Sequence, residues 1–236
     1  MGIALFALIL MFFFMVQSIV FVAGVMERSP EFERFTFSTL EDPAFRQRMD
    51  QLIFHGDLVA QEALWSGSIC TALILITVGL WKRRNTRTFL GLHLPRPRQW
   101  FIWFGAFALL GLVVEVLTRN VEGFQTDFME RILSTHSDKL LLFIGIGLMA
   151  PLFEEFLLRG LLFGSIRHVS DEHMAVALTA GVFTLMHLQY NWMIMLLILP
   201  MGVVLGYARS RSGSIWVPVL LHVVNNSLSV LLPQAH

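Results

Sequence analysis

The chain has 236 residues, of which 56% are hydrophobic and only 14% charged, about half the charged share of an average soluble protein. A soluble domain of this size cannot hide so much apolar surface with so little polar surface left for water, whereas lipid solvates it directly. The 17 basic residues cancel the 17 acidic ones, which leaves no basic surface for nucleic acid. The 21 Phe against 2 Tyr also fit lipid-facing helices, and the expected fold is all-α, a polytopic transmembrane helix bundle. The single cysteine, Cys70, lies in an apolar run; it offers no disulfide and no paired-cysteine metal motif and reads as a small buried hydrophobe.

A span needs about 20 apolar residues to cross roughly 30 Å of hydrocarbon. The first, residues 3–25, holds Phe12, Phe13 and Phe14 and no charge, and reads as a retained helix rather than a signal peptide. A polar segment, residues 27–57, follows, with Pro30 and Pro43 set to break any long helix. A solvated connector is expected there in preference to short interfacial helices. The second span covers residues 58–81 and the third 100–117. Between them, LHLPRPR (residues 92–98) is too rich in proline for a helix and reads as an extended strap. The fourth span, 140–163, is interrupted by Pro151, Glu154, Glu155 and Arg159. Three more follow at 174–188, 192–208 and 215–232, the first of them short. About seven spans result, with six and eight as the bounds.

Loop charges give an orientation. Lys82, Arg83, Arg84, Arg87, Arg96 and Arg98 lie between the second and third spans without an acidic residue, the strongest positive-inside signal in the chain. With that loop in the cytoplasm, Arg167, Arg209 and Arg211 lie inside as well, residues 27–57 and 120–138 lie outside, and the amino terminus is cytoplasmic. In a bacterium the host membrane is the cytoplasmic one. No lipidation signal and no internal repeat of the kind found in transporters is present. Residues 1–139 form a variable membrane region of about three spans, 140–232 the core, and 233–236 a tail.

Ionisable groups inside spans are costly and mark function by default. Glu62 and Glu115 fall near span ends, within reach of headgroup water, and Gln17 suits an interhelical hydrogen bond. His55, His93, His136, His168, His173 and His236 fall in loops, interfaces or the tail, where solvation is expected. The remainder crowd into the last hundred residues. In PLFEEFLLRG, Glu155 and Arg159 are four apart, in the favourable acid-before-base order on one helix face. Glu154 points about 140° from Arg159 and must find another partner. Phe183 and His187 are also four apart, as are His222 and Asn226, with Asn225 within about 60° of His222. Such residues on successive apolar helices are tolerable only if they meet.

Glu154-Glu155-x-x-x-Arg159, then Phe183-x-x-x-His187, then His222-x-x-x-Asn226 resemble the three motifs of the CPBP (or ABI) family. That family contains the Ras-converting type II CaaX prenyl endopeptidases and bacterial relatives linked to bacteriocin processing and self-immunity. The resemblance covers roughly residues 140–232. It implies a glutamate-dependent intramembrane protease in which Glu154 and His187 activate water. His222 and Asn226 form the oxyanion hole, and Glu155 and Arg159 hold the geometry.

The residues themselves agree with water activation. Ser165, Ser227 and Ser229 lie near the motifs without a nucleophile elbow, and the zincin pattern HExxH is absent. Glu154 suits a general base, His187 can share its proton, and His222 and Asn226 can donate to an oxyanion. No cofactor is expected, although Glu154, His187 and His222 are a conceivable set of zinc ligands with an open fourth position. The expected partners are membrane lipid and a peptide or lipidated protein substrate, with CaaX-type processing one form of the reaction. Two other readings stand beside the protease: a non-catalytic protein for bacteriocin self-immunity or export, and a proton or haem carrier using His187 and His222.

Overall fold

The structure, a computed structural model, describes residues 1–32, 34–119, 121 and 127–232. The expected tail with His236, and residues 120 and 122–126 of the third connector, lie outside the described residues. Ten helices follow in order: α1 (Gly2–Glu27), α2 (Pro43–Leu52), α3 (Gly56–Lys82), α4 (Thr86–Leu90), α5 (Pro97–Thr118), α6 (Asp127–Thr135), α7 (Lys139–Arg167), α8 (Glu172–Leu185), α9 (Trp192–Ser212) and α10 (Trp216–Leu231). No strand occurs among the described residues, and the chain is an all-α membrane helix bundle.

Seven of these helices occupy the positions of the seven expected spans. By length and composition α1, α3 with its extension through α4, α5, α7 and α9 suffice to cross a membrane. The 14 residues of α8 and 16 of α10 reach about 21 and 24 Å at 1.5 Å per residue, short of the roughly 30 Å hydrocarbon. The bundle alternates between two ends. At one end the turn after α3 meets the start of α10, where Ile215 N–H donates to the Gly91 carbonyl (2.9 Å). Arg209 of α9 donates to the Phe89 carbonyl (3.3 Å), and Arg211 pairs with Glu172 (2.5 Å) at the same end. At the opposite end Gly56 N–H donates to Thr135 Oγ1 (2.9 Å), and Asp57 accepts from Ser137 N–H (2.9 Å). The basic loop of residues 82–98 thus lies at the first end, and the acid-bearing segments at the second.

Proline begins helices here more often than it ends them. Residues 27–57 are not a solvated connector: Pro43 is the first residue of α2, where its missing N–H has no intrahelical partner to lose. Asp42 caps that helix by accepting from Ala44 N–H (2.8 Å). Phe45 and Leu52 of α2 are buried against Val25 and Leu58, and Arg48 donates to the Arg28 carbonyl (3.1 Å), which pins α2 beneath α1 and α3. Pro97 likewise opens α5, so the extended strap is shorter than residues 92–98. Pro151 does not interrupt the fourth span either. α7 runs unbroken for 29 residues, relaxing to π geometry over Phe143–Met149 and again over Phe156–Leu162. A π stretch absorbs the hydrogen bond a proline cannot make. The two widened stretches flank the turn that carries Glu154 and Glu155.

The core forms where α1, α3 and α7 meet. Phe153 is fully buried and stacks on Phe13 (ring centroids 4.3 Å apart), and Cys70 is buried in the same core, as expected. The close approach of α3 to α7 depends on glycine, as membrane helix crossings commonly do. A Cβ on Gly145 would lie 2.3 Å from the Ala60 carbonyl oxygen, and one on Gly67 3.0 Å from the Met149 oxygen. Neither backbone atom can yield without moving its helix. Gly145→Ala is therefore expected to lower stability by about 1–3 kcal/mol, the usual cost of overpacking. Gly105→Ala, with nothing within 4 Å of the added methyl, is expected to be neutral. Thermal unfolding of the two variants in one detergent measures the difference.

Candidate active site

Arg159 organises the site. It is fully buried, yet Nη1 donates to Glu155 Oε1 (2.9 Å) and Nη2 to the Gly202 carbonyl of α9 (3.0 Å). Its guanidinium lies 4.6 Å from the Phe183 ring centroid of α8. The four-residue spacing thus gives the ion pair that the sequence foretells. The Arg159 carbonyl, in the second π stretch, accepts from Arg209 Nε (3.0 Å).

His222 joins the two glutamates. Its Nδ1 lies 3.0 Å from Glu155 Oε1 and its Nε2 lies 3.9 Å from Glu154 Oε2, with the ring 1% exposed. Because Glu155 also receives Arg159, it acts as acceptor, so His222 Nδ1 is the donor. Glu154 Oε2 is buried and has no hydrogen-bond partner. Glu154 therefore looks away from Arg159, as its helical angle requires, and toward His222.

His187 reaches the site by an unexpected route. α8 stops at Leu185, so His187 sits on the following turn and not within a span reaching residue 188. Its Nδ1 donates to the Phe183 carbonyl (2.8 Å), which leaves the Nε2 lone pair free. The shortness of α8 brings His187 down into the bundle. The Phe183 ring meets both imidazoles edge-on, at 4.7 Å from His187 and 5.4 Å from His222. Asn226 Nδ2 donates to the Ile146 carbonyl (3.2 Å), and its Oδ1 accepts from Asn225 Nδ2 (3.4 Å).

Two cavities meet at these residues. The first, about 280 Å³, lies between α5, α9 and α10 and is lined by aliphatic and aromatic side chains with His187, His222, Asn225 and Asn226. The second, about 360 Å³, lies between α1, α3 and α7 and contains Glu154. His187, Tyr190 and Asn226 line both. The second cavity also takes in Glu62, which shares it with Glu154, and Gln17, which lines it instead of hydrogen-bonding a neighbouring helix. Hydropathy places both at a depth; only packing shows which way they face.

The other polar residues are less central. Glu115 is exposed on the last turns of α5. His55 caps α3 with Nδ1 buried and unpartnered, so it is not simply solvated, and His173 Nδ1 pairs with the Tyr207 hydroxyl (2.7 Å). The Ser165 and Ser229 hydroxyls donate back to carbonyls of their own helices, Leu161 and Asn225, and Ser227 Oγ is buried without a partner. Among the described residues no group of three His, Cys, Asp or Glu is placed to hold a metal ion. His187 and His222 each engage Nδ1, with the Phe183 carbonyl and Glu155 respectively, which leaves Nε2 as the ring nitrogen of each available to the site.

An apolar helix bundle that gathers two carboxylates, two imidazoles, an amide and a guanidinium around cavities is an integral membrane protein with a built polar site. Residues 136–228, the part of the chain that holds this site, match the family described as Type II CAAX prenyl endopeptidase Rce1-like. The chain is 30% identical over 132 residues to an Escherichia coli protein named "Uncharacterized 24.3 kDa protein", a match covering 54% of this chain and 61% of that one. It is 23% identical over 137 residues to the Bacillus subtilis protein named "Putative membrane peptidase YdiL", covering 56% and 55% respectively. The matches span little more than half the length of these relatives. No solved structure matches the chain.

The buried pair predicts an asymmetric mutational response. Arg159→Met strands Glu155 and is expected to cost about 3–5 kcal/mol, whereas removing both charges of a buried pair is close to neutral. Glu155→Met/Arg159→Met should therefore melt higher than Arg159→Met alone. A double variant that melts lower would show that the two residues act independently.

Proposed function

We propose that this protein is an intramembrane endopeptidase that hydrolyses a peptide bond with water activated by Glu154 and His187. The observation that carries this reading is the carboxylate of Glu154. It faces a cavity, one oxygen is buried without a hydrogen-bond partner, and Arg159 is committed to Glu155. A group so placed is free to take a proton from water. The free Nε2 of His187, in the same cavity, accepts the second hydrogen of that water and orients it.

The balance of the reaction is simple. The oxygen of water adds to the carbonyl carbon while Glu154 receives the proton. The resulting oxyanion accepts from the Asn226 amide and from His222. With Nδ1–H of His222 already given to Glu155, Nε2 carries hydrogen only when the ring is doubly protonated. A donor at Nε2 thus requires the imidazolium, whose charge Glu154 and Glu155 on either side would offset. As the tetrahedral intermediate collapses, the C–N bond breaks and the proton on Glu154 passes to the leaving amine. The products are a carboxylate and an amine. A peptide or lipidated protein tail held in the bilayer is the substrate class, and the family match supports CaaX-type processing as one form of it. The basic end of the bundle, with residues 82–98, belongs in the cytoplasm by the positive-inside rule, and the amino terminus with it.

Purified protein is expected to cleave membrane peptides, and Glu154→Gln should fold normally yet be nearly inactive, because the amide keeps the shape and cannot take the proton. His187→Ala should be similarly impaired; unchanged cleavage in both variants would refute the assignment. Asn226→Ala should lower kcat more than it changes KM, by on the order of 10²–10³, the usual range for one oxyanion donor. Activity should survive a strong chelator. Complete chelator sensitivity reversed by zinc, with one metal per chain, would instead make Glu154, His187 and His222 ligands.

A further inference from the structure

Glu62 is the carboxylate of the second cavity that the reaction above does not use. Only its backbone is engaged: Ser66 Oγ donates to its carbonyl (2.5 Å), while the carboxylate has no ion pair or hydrogen bond among the described residues. A structural clamp would have a partner. An unpartnered carboxyl on an otherwise apolar span is costly, and an alanine would serve the helix better unless a cationic group arrives to offset that cost.

The cavity points to such a group. Glu62 and Glu154 line it together with Gln17 and His187, and among the described residues no Lys or Arg lines it. Two carboxylates facing one low-dielectric space attract a cation more strongly than either does in water. The other cavity, across His187 and Asn226, has no carboxylate in its lining, and Phe107, Leu110, Ile198 and Met201 form much of its wall. The two sides of the site differ in the chemistry they accept.

Depth gives a register. α3 and α7 start at the same end of the bundle, where Asp57 accepts from Ser137 and Asp138. Glu62 lies six residues along α3, about 9 Å from that end, and Glu154 fifteen residues along α7, about 22 Å. The second cavity also takes in Ile53, Phe54 and Gln189, which belong to turns at that end. A substrate reaching Glu154 from there passes Glu62 first. The axial separation of about 13 Å is roughly four residues of extended chain, fewer where a long basic side chain bridges part of it.

We infer that Glu62 is a specificity-determining residue that selects substrates carrying a Lys or Arg within about four residues of the cleaved bond, on the Glu154 side, with an apolar residue on the other. This rests on the protease reading, but it can be tested by binding without turnover. The full-length Glu154→Gln protein in detergent is titrated with fluorescent, end-blocked Ala/Leu peptides in which one Lys, or norleucine as its neutral counterpart, is moved along the chain.

At one or two positions Lys should bind more tightly than norleucine. E62Q should weaken those Lys peptides about tenfold, as close charge pairs at interfaces do, and leave the norleucine peptides unchanged. E62K should transfer the preference to peptides with Glu at the same positions. Absence of a Lys preference at every position, or equal loss of Lys and norleucine binding in E62Q, would overturn the inference. Turnover is then measured with Glu154 intact. If Lys-selective binding depends on Glu62 but no peptide is cleaved, the hydrolase reading fails while the binding specificity stands.

Discussion

A guanidinium with no exposure to solvent, surrounded by hydrocarbon helices, sets the terms for everything around it. Arg159 can be tolerated only if its charge and its terminal donors are answered, and both Nη atoms are, while Nε stays buried without a partner. Glu155 answers the charge from one turn earlier, the Gly202 carbonyl answers a second donor from α9, and the Phe183 face lies against the cation from α8. Glu155 then holds the His222 imidazole of α10. Four helices are thereby tied through one ion pair, and Arg209 ties the Arg159 backbone to α4. Taking Arg159 as partner also fixes what Glu155 cannot do, and leaves Glu154 to face the cavity.

The backbone of α7 is adapted to this demand. An ideal α-helix through Pro151 would lack a hydrogen bond in the middle of the bilayer. The two π stretches spread that defect over the turns on either side of the glutamates. The first also contains Gly145, which lets the α3 backbone come within contact of α7, and the Ile146 carbonyl, which receives Asn226. Helix distortion, close packing and the placement of a site amide are consequences of one local geometry.

Much of this was legible in the chain. The seven apolar helices stand where hydropathy puts them, and the four-residue spacing of Glu155 and Arg159 foretold their pairing, since both depend on neighbours close in sequence. What escaped depends on packing between distant segments. Residues 27–57 looked like a connector because their charges dominate, yet Phe45 finds a pocket against Phe32 and Val25. The fifth span was expected to reach residue 188, yet the helix ends at Leu185, so His187 sits on the turn beyond it, tied to the Phe183 carbonyl. Glu62 and Gln17 were assigned roles from depth alone, and depth says nothing about facing. No one-dimensional signal would have separated a carboxylate facing a cavity from one reaching headgroups.

α5 differs from the other long helices in having no buried residue. It nevertheless walls the apolar cavity with Phe107, Leu110, Gly111 and Val114, spaced three, four and seven apart, a single stripe along the helix. The other faces present exposed apolar side chains such as Phe101, Leu109, Leu112 and Val116, suited to lipid tails, which recognise hydrophobicity and length but not shape. Mutation can therefore exchange one apolar residue for another over most of this helix at little cost, while the stripe answers to whatever fills the cavity. Two rates of evolutionary drift are expected of one helix, the slower along the face that walls the cavity.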